Sequence, residues 1–298
     1  KIINDLKTNS NKKDSYKIFK YLFPLALFRF NKGGNIFLMQ QSLIMKLEIA
    51  GFTIEEISTF YTHSQINQLG LKNIRKLKKI FCLNDYEYAL LNTYGISSRK
   101  LVRFPVGINP NFIIKSDLQN LEKREIDVLF SLRYFVKNPH YKIRKRYEFI
   151  IKLANLLAES QINVCILGEG WEQIKASLNQ NIKVLELEYD QYPHIYQNSK
   201  VYCNPSLVEG GPTSLIEAFS SGCFILTSPI GLSFNLCLDD KYSQIIPFNQ
   251  DENYWKKSII KILANDENDY IKILSSRNKK IEGSLFKNLS KKLEENLF

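Results

Sequence analysis

The sequence predicts an α/β fold built on a doubly wound parallel sheet. Short apolar runs typical of buried strands alternate with segments of helical periodicity over residues 126–227. Within this region, residues 201–203 (VYC) form a predicted strand that ends at Pro205, because proline has no N–H for a neighbouring strand. A predicted helix at 214–221 follows, and Gly222 separates it from a second apolar run. A strand, a helix and a strand in this order form a βαβ unit, whose strands are parallel.

A glycine loop, residues 209–213 (EGGPT), joins the first strand of this unit to its helix. Gly210 and Gly211 lack side chains, so the backbone can approach a ligand closely. The unpaired N–H groups of the helix N-terminus point toward the same place and favour anionic groups. The loop is therefore a candidate site for phosphate or sugar oxygens.

Two carboxylates flank these glycines, Glu209 at the mouth of the loop and Glu217 in the helix. Ser214 and Glu217 fit the S-x-x-E capping box, in which the glutamate only accepts a hydrogen bond from the N-cap amide. Glu209 could merely complement the helix dipole. Both carboxylates could instead bind a ligand, and their spacing leaves the two interpretations open.

Residues 209–228 (EGGPTSLIEAFSSGCFILTS) closely resemble the E-x7-E signature of GT-B glycosyltransferases of the family 4 kind, the glycosyl transferases group 1. The loop, the helix, the closing glycine and the following strand occur in the family's order. The resemblance covers roughly residues 80–298 and implies two Rossmann-like doubly wound domains, with ligands bound between them. It implies transfer of a hexosyl-type sugar from a nucleotide-sugar co-substrate to a hydroxyl acceptor, with retention of configuration and without a metal or cofactor.

The resemblance also divides the chain. Residues 1–108 would form an acceptor-side Rossmann-like domain, residues 109–282 the nucleotide-sugar-binding domain, and residues 283–298 a helix that returns toward the first domain. The linker is identified from residues 105–112 (PVGINPNF), which resemble the family's P-N-G-V-D…F segment, with Val106 in place of its first asparagine. Because the linker comes early in the chain, the resemblance implies an N-terminal domain that is short or truncated.

The resemblance implies roles for individual residues of the second domain. Arg133, just after a predicted strand at 126–131, matches the family arginine, and Lys145, just before a predicted helix at 146–158, best matches the lysine. Both would neutralise the donor diphosphate, although a solvated cationic loop is the alternative interpretation. The catalytic roles then fall to Arg133, Lys145 and Glu209, and the donor-binding roles to Gly168, Gly170, Gly210, Gly211, Pro212, Thr213, Ser214 and Glu217.

The first domain offers weaker signals. His63 is a candidate acceptor-side residue, because an imidazole suits proton transfer near neutral pH, although a lone histidine is more often structural. Residues 17–30 interleave Lys17, Lys20 and Arg29 with large apolar groups. This segment either opens the core of the domain or lies on an anionic membrane surface. Further along, a strand at 80–83 leads into a helix with Asn84 or Asp85 as its predicted N-cap.

Composition narrows the class of partner. The 298 residues are 44% hydrophobic and carry a formal charge of +11, which indicates an anionic partner such as a nucleotide, a lipid surface or nucleic acid. Nucleic acid is disfavoured as a partner, because the sequence has no recognised nucleic-acid-binding motif. In addition, the basic cluster within residues 133–146 coincides with the family's phosphate-binding element. Gln173 replaces the third glycine of a dinucleotide fingerprint, which argues against NAD.

The five cysteines lie in or beside apolar runs without a C-x-x-C pair, so neither a disulfide framework nor a zinc site is predicted. The pair Asp239-Asp240 is interpreted as a loop and not as a metal motif. We expect a cytoplasmic protein, peripheral at the inner face of the membrane, that acts on a glycan or lipid-linked acceptor in cell-surface glycan or glycolipid synthesis. The alternative is a non-catalytic nucleotide-sugar-binding module, since a short first domain could lack an acceptor site.

Overall fold

Two sheets organise the protein. The computed structural model describes residues 27–30, 35–38, 55, 57–61, 66–114, 123–135, 137–264 and 270–297. The first sheet has the strand order β1-β2-β3-β4-β5, and only its β1–β2 pair is antiparallel. Its strands are β1 (Leu27–Phe30), β2 (Asn35–Leu38), β3 (Ile57–Tyr61), β4 (Lys79–Cys82) and β5 (Leu101–Arg103).

The second sheet is parallel throughout, with the order β11-β10-β9-β6-β7-β8. Its strands are β6 (Ile126–Ser131), β7 (Val164–Leu167), β8 (Lys183–Leu185), β9 (Ser199–Asn204), β10 (Phe224–Thr227) and β11 (Ser243–Ile245). The chain runs outward from β6 in one direction and then from β9 in the other. The loops that follow β6 and β9 therefore meet at the switch point, where doubly wound sheets bind their ligands.

Helices cover both faces of the second sheet, as a doubly wound sheet requires. The described helices are α1 (Ile66–Lys76), α2 (Asp85–Thr93), α3 (Pro139–Lys145), α4 (Tyr147–Ala158), α5 (Tyr192–Gln197), α6 (Thr213–Ser220), α7 (Gly231–Cys237), α8 (Glu252–Leu263), α9 (Tyr270–Ile281) and α10 (Phe286–Leu297). Apolar residues of α4 and α8 pack in one buried cluster with the sheet, and those of α5, α6 and α7 pack in another. The predicted α/β fold with parallel sheets is confirmed.

Several local predictions agree with the structure. The helix predicted at 214–221 is α6, one residue earlier at each end, and Gly222 follows it with φ +75°, the left-handed conformation expected of a closing glycine. Asn84 is the N-cap of α2, where its side chain accepts a hydrogen bond from the Glu87 amide. The five cysteines are buried, in keeping with their apolar surroundings.

The segment before α4 differs from the prediction. A loop is expected between Arg133 and Lys145, but this segment contains the separate helix α3. Asn138 caps this helix by accepting a hydrogen bond from the Tyr141 amide, and Pro139 occupies its first turn. Arg146 then adopts a left-handed conformation, φ 54°, which ends α3 before α4 begins. Lys145 is therefore the last residue of a helix and not a loop residue.

Asp240 forms a structural ion pair. Its carboxylate receives two hydrogen bonds from the Arg277 guanidinium, at 2.6 and 2.9 Å, and both side chains are buried. This agrees with the interpretation of Asp239-Asp240 as a loop pair. Among the described residues, no cluster of three or more histidines, cysteines or acids is arranged to hold a metal ion. Within the same ranges, no helix has both the length and the apolar character needed to cross a bilayer.

The first sheet and the second meet through α2, α7 and α10. The Asp85 amide donates to the Asn235 side chain at 3.1 Å, and the Asn235 amide returns a 2.8 Å hydrogen bond to the Asp85 carboxylate. Leu289 and Leu293 of α10 pack against a buried aromatic and valine cluster of the first sheet. The carboxyl ends of β6 and β9 thus face the first sheet and its helices.

Candidate functional site

Three loops at the carboxyl edge of the second sheet carry most of the residues singled out in its sequence. They follow β6 (residues 132–135), β7 (168–170) and β9 (205–212). Because β6, β7 and β9 are adjacent and parallel, their carboxyl ends lie side by side. Residues more than 70 positions apart in sequence are therefore brought into one region.

Glu209 is a buried acid of this edge. Only 4% of its side chain is exposed, and it forms ion pairs with Lys145 and, at 3.6 Å, with Arg144. The Lys145 side chain is itself 13% exposed. A buried carboxylate is stable only where cations or hydrogen-bond donors compensate its charge. The structure therefore brings together two of the three predicted catalytic residues.

Helix α3 positions Lys145 for this contact. The Leu207 amide donates a 2.8 Å hydrogen bond to the Arg144 carbonyl, which ties the end of α3 to the loop after β9. The Tyr141 ring lies under both cations, 4.8 Å from the Arg144 guanidinium carbon and 5.6 Å from Lys145 Nζ. The end of α3 is thus placed so that Arg144 and Lys145 both reach Glu209.

Arg133 makes a different set of contacts. Its guanidinium lies 3.5 Å from the Glu169 carboxylate, and 65% of its side chain is exposed. The Arg133 backbone is held in place, because the buried Tyr147 hydroxyl donates a 2.6 Å hydrogen bond to its carbonyl. Burial raises the pKa of Tyr192, whereas the nearby Arg133 lowers it. Arg133 is therefore an accessible cation near Tyr192, with partners other than those of Lys145.

The local backbone structure explains why residues 168 and 170 are glycines. Their φ values are +143° and +88°, and a Cβ atom at Gly170 would lie 2.5 Å from the Tyr134 carbonyl oxygen. The Tyr134 amide in turn donates to the Glu169 carbonyl at 2.8 Å. The two glycines therefore let the turn after β7 pack directly against the loop after β6.

Gly210 and Gly211 lie against the first sheet's side of the protein. The Gly210 carbonyl accepts hydrogen bonds from Asn84 Nδ2 at 2.9 Å and from the Leu232 amide at 3.0 Å. A Cβ atom at Gly211 would overlap Val106. The two glycines therefore allow close approach by a neighbouring part of the chain, in addition to the close approach by a ligand that the sequence predicts.

The residues that open α6 divide into exposed and bonded ones. Pro212 is the N-cap, and no side chain caps the helix. Thr213 is exposed, whereas the Ser214 hydroxyl accepts a 2.8 Å hydrogen bond from Tyr202. The capping-box interpretation of Ser214 and Glu217 is therefore wrong, because Ser214 lies inside the helix and makes no cap.

Glu217 is as enclosed as Glu209 but has different partners. Its Oε1 atom accepts a 2.7 Å hydrogen bond from the Tyr189 hydroxyl, and the residue is 4% exposed. Burial raises the pKa of Glu217, and the hydroxyls of Tyr189 and Tyr196 oppose that shift. The carboxylate thus faces phenol hydroxyls, which offer it the same kind of hydrogen bond that a sugar hydroxyl would.

Sequence reasoning missed three residues of this region. Asn84 was recognised only as a helix cap, and its contact with Gly210 spans 126 positions of sequence. Arg144 was one of several cations in the basic cluster. Tyr189 lies in a short 3-10 turn after the end of β8 at Leu185, where no sequence motif marks it.

Some predicted residues fall outside the described ranges. His63, Lys17 and Lys20 are among them, so the structure gives no account of the acceptor-side candidate or of the two lysines. The backbone of Arg29 belongs to β1. Similarity to known proteins provides a direct test of the family that the E-x7-E signature of residues 209–228 indicates.

Residues 131–280 match the family described as "Glycosyl transferases group 1". An uncharacterised glycosyltransferase of Haemophilus influenzae is 24% identical over 196 residues, which cover 60% of this chain and 52% of the relative. The predicted family resemblance is thereby confirmed.

Solved structures show the same fold. The crystal structure of TarM superposes with a TM-score of 0.61 at 15% identity, covering 81% of this chain and 50% of TarM. Anabaena Alr3699/HepE, in complex with UDP and glucose, has a TM-score of 0.61 at 13% identity, covering 85% of this chain and 74% of HepE. The chain thus spans about half the length of the Haemophilus relative and of TarM.

Proposed function

Because the chain belongs to the glycosyl transferases group 1 family, we propose that it transfers a sugar from a nucleotide-sugar donor to a hydroxyl acceptor. The solved structure of HepE contains UDP and glucose, and UDP-linked hexoses are the donors we propose first. The transfer proceeds with retention of configuration and without a divalent metal ion, and the acceptor is a glycan or a lipid-linked glycan.

The observation that carries this proposal is the enclosed cluster of Glu209, Lys145 and Arg144 at the switch point. A carboxylate there can accept hydrogen bonds from sugar hydroxyls. A cation beside it can neutralise the charge that develops on a departing diphosphate, and such positioned charge lowers a barrier by several kcal/mol. Lys145 therefore has the chemistry and the place to stabilise the leaving group.

Arg133 is the second cation of the proposed mechanism. Its exposure leaves the guanidinium accessible, and its fork of N–H donors suits two oxygens of one phosphate. Glu217 is proposed to accept hydrogen bonds from the ribose, since its present partner is also a hydroxyl. The N-terminal N–H groups of α6 face the same edge and favour the diphosphate.

The positive charge of the chain supports an anionic partner beyond the donor. At +11, the protein is attracted to anionic lipid surfaces, where each basic residue contributes about 1 kcal/mol. We propose a peripheral location at the inner face of the membrane, close to lipid-linked acceptors of cell-surface glycan synthesis. Salt-sensitive binding to anionic vesicles, compared with neutral vesicles, tests this part. Equal binding to both kinds of vesicle would contradict it.

Thermal unfolding with UDP, UDP-glucose and UDP-N-acetylglucosamine, each with and without EDTA, tests donor binding. A ligand at 100 times its dissociation constant stabilises the folded state by about 2.7 kcal/mol, so the melting temperature should rise. The rise should persist in EDTA, because Arg133 and Lys145 supply the positive charge. Stabilisation that requires magnesium or manganese would contradict the metal-independent mechanism.

Release of UDP in the presence of glycan acceptors then separates an enzyme from the alternative. Transfer to an acceptor hydroxyl supports the proposed glycosyltransferase, and the anomeric configuration of the product tests retention. Tight donor binding without any transfer would instead favour a nucleotide-sugar-binding module.

A further inference from the structure

We propose that Asn84 is a positioning residue, which holds the glycine loop in place from the opposite side of the cleft. It belongs to α2, beside the first sheet, whereas the loop belongs to the second. The inference rests on the proposed function of the loop in donor binding. Asn84 acts through Gly210 and touches neither the donor nor the acceptor.

Both ends of the Asn84 amide are used. The oxygen Oδ1 accepts a 2.8 Å hydrogen bond from the Glu87 amide, and Nδ2 donates a 2.9 Å hydrogen bond to the Gly210 carbonyl. The residue is 4% exposed. Because one partner is a donor and the other an acceptor, rotating the amide by 180° would place like groups opposite each other at both ends. The side chain therefore has one orientation.

The surroundings leave little room for the loop to move. The Leu232 amide, at the start of α7, donates to the same Gly210 carbonyl. A Cβ atom at Gly231 would lie 2.5 Å from Asn84 Nδ2 and 3.0 Å from the Glu209 carbonyl oxygen. The backbone at Gly231 thus closes around the Asn84–Gly210 hydrogen bond.

Leu83 and Val106 make the neighbouring contact. They lie beside Gly211, where a Cβ atom would be 3.1 Å from Leu83 Cδ1 and would overlap Val106. Leu83 and Asn84 follow β4, and Val106 follows β5. All three contact the consecutive glycines at positions 210 and 211. The part of the chain outside the second sheet therefore sets the path of the glycine loop.

Glu209 and the first turn of α6 lie on either side of this fixed point. A shift of the Gly210 peptide would move the Glu209 backbone and the N–H groups of residues 213 and 214 together. Donor binding depends on all of these groups, so loss of the Asn84 hydrogen bond should weaken it. The effect should appear in donor affinity and in KM, with a smaller effect on the free energy of unfolding.

Two substitutions remove the hydrogen bond to Gly210 and keep the cap of α2. Asn84→Ser and Asn84→Asp both keep a good N-cap acceptor for the Glu87 amide, and both lack the N–H donor for Gly210. Serine adds no charge, which controls for repulsion between an aspartate and Glu87. Asn235→Ala is the matched control, because it removes two hydrogen bonds of the same interface that do not involve the glycine loop.

The first measurement is calorimetric titration with UDP at a temperature where every variant is folded. Each Asn84 variant should bind UDP about tenfold more weakly than the unaltered protein, as expected for one lost buried hydrogen bond. Asn235→Ala should change the affinity less than about twofold. In transfer assays the Asn84 variants should raise the KM for the donor, and kcat should change less. Equal weakening by Asn84→Ser and Asn235→Ala would overturn the proposal.

Hydrogen exchange tests the positioning role without any ligand. The amides of residues 209–211, 213 and 214 and of Leu232 should exchange faster in Asn84→Ser and at an unchanged rate in Asn235→Ala. Unchanged exchange in Asn84→Ser would overturn the proposal. Failure of the unaltered protein to bind UDP would contradict the proposed function, and the exchange result would still decide the role of Asn84.

Discussion

The two ends of the glycine loop carry acids that are equally enclosed and differently compensated. Glu209, before the glycines, lies between the cations Lys145 and Arg144. Glu217, after them, accepts a hydrogen bond from the uncharged Tyr189, and burial raises its pKa. Two acids eight positions apart therefore have different electrostatic surroundings, which come from the segments that fold over them.

This difference assigns separate tasks to the two ends. A carboxylate paired with a lysine holds a cation where an anionic leaving group would need it. A carboxylate that faces hydroxyls offers oxygen atoms to other hydroxyls. On the proposed function, the first end handles the diphosphate and the reacting sugar, and the second end handles the ribose.

The largest expected effect comes from removing the cation at the first end. Lys145→Met removes a cation that contacts the buried Glu209 carboxylate and leaves Arg144 at 3.6 Å from it. Removal of one partner from a buried pair costs about 3 kcal/mol of unfolding free energy. Urea unfolding of the variant measures this loss.

Two further variants check that interpretation. Lys142→Met removes an exposed lysine of the same helix and should change stability little. Glu209→Gln, added to Lys145→Met, should restore part of the lost stability, because the amide no longer buries a charge. If Lys142→Met were as damaging as Lys145→Met, the first end would not depend on a buried ion pair.

Glu87 extends the comparison to a third buried carboxylate, one that pairs with no lysine or arginine among the residues described by the structure. Burial raises the pKa of Glu87 to about 8, against smaller opposing effects of the Leu83 backbone and the Asn84 side chain. The folded state therefore keeps a proton that the unfolded chain releases near pH 4.5. The contribution of Glu87 to the free energy of unfolding is therefore greatest below that pH. It declines as the pH rises toward 8, by at most about 1.4 kcal/mol per pH unit.

Glu87→Gln should remove most of this decline. Urea unfolding at pH 5, 6, 7 and 8 would show a flatter profile for the variant than for the unaltered protein. Glu172→Gln, at an exposed acid, is the control and should leave the profile unchanged. A profile that stays equally steep in Glu87→Gln would show that another group titrates in this range.

At the second end, Glu217→Ala should lower donor affinity. Hydrogen bonds to a charged acceptor contribute roughly 1.5–3 kcal/mol, which corresponds to about a ten- to a hundredfold loss of UDP affinity. Calorimetric titration of UDP measures it, and Glu172→Ala, at an exposed acid, is the control. Because the capping-box role is excluded, unchanged affinity would leave Glu217 with a structural task only.

The smallest expected effect concerns the hydroxyl that faces Glu217. Tyr189→Phe removes a hydrogen bond that lowers the pKa of this carboxyl, so its pKa should rise further. The loss of stability, about 1 kcal/mol, should be largest at pH values where Glu217 is charged. Tyr192→Phe is the matched control, and equal pH-dependent losses in both variants would contradict the assignment.

Local signals in the sequence predicted most of the second sheet. The strand at 201–203, the glycine that ends α6 and the Asn84 cap all depend on residues within a few positions of one another. Helix α3 was missed because it has no periodic apolar face, and only Asn138 and Pro139 mark its start. Its capping pair is a signal that the sequence analysis did not use.

The partners of the site residues could not be predicted in the same way. Glu209 meets Lys145 only because α3 ends against the loop after β9, and Asn84 meets Gly210 only where two sheets face each other. The glycines illustrate the limit most clearly. A glycine pair indicates that something approaches the backbone, and the sequence does not distinguish a ligand from Val106.

The segment beside Ile108 has a mechanical consequence. The chain passes from the first sheet's side to the second near this residue and returns near Leu285, and the two passages are bridged side by side, with the Ile108 amide bonded to the Ser284 carbonyl at 2.9 Å. One connecting segment alone would allow the two halves to rotate in any direction, whereas two adjacent connecting segments restrict the rotation to one axis. We expect opening and closing about the axis through Ile108 and Leu285 to be the easiest motion. Both connecting segments would resist twisting.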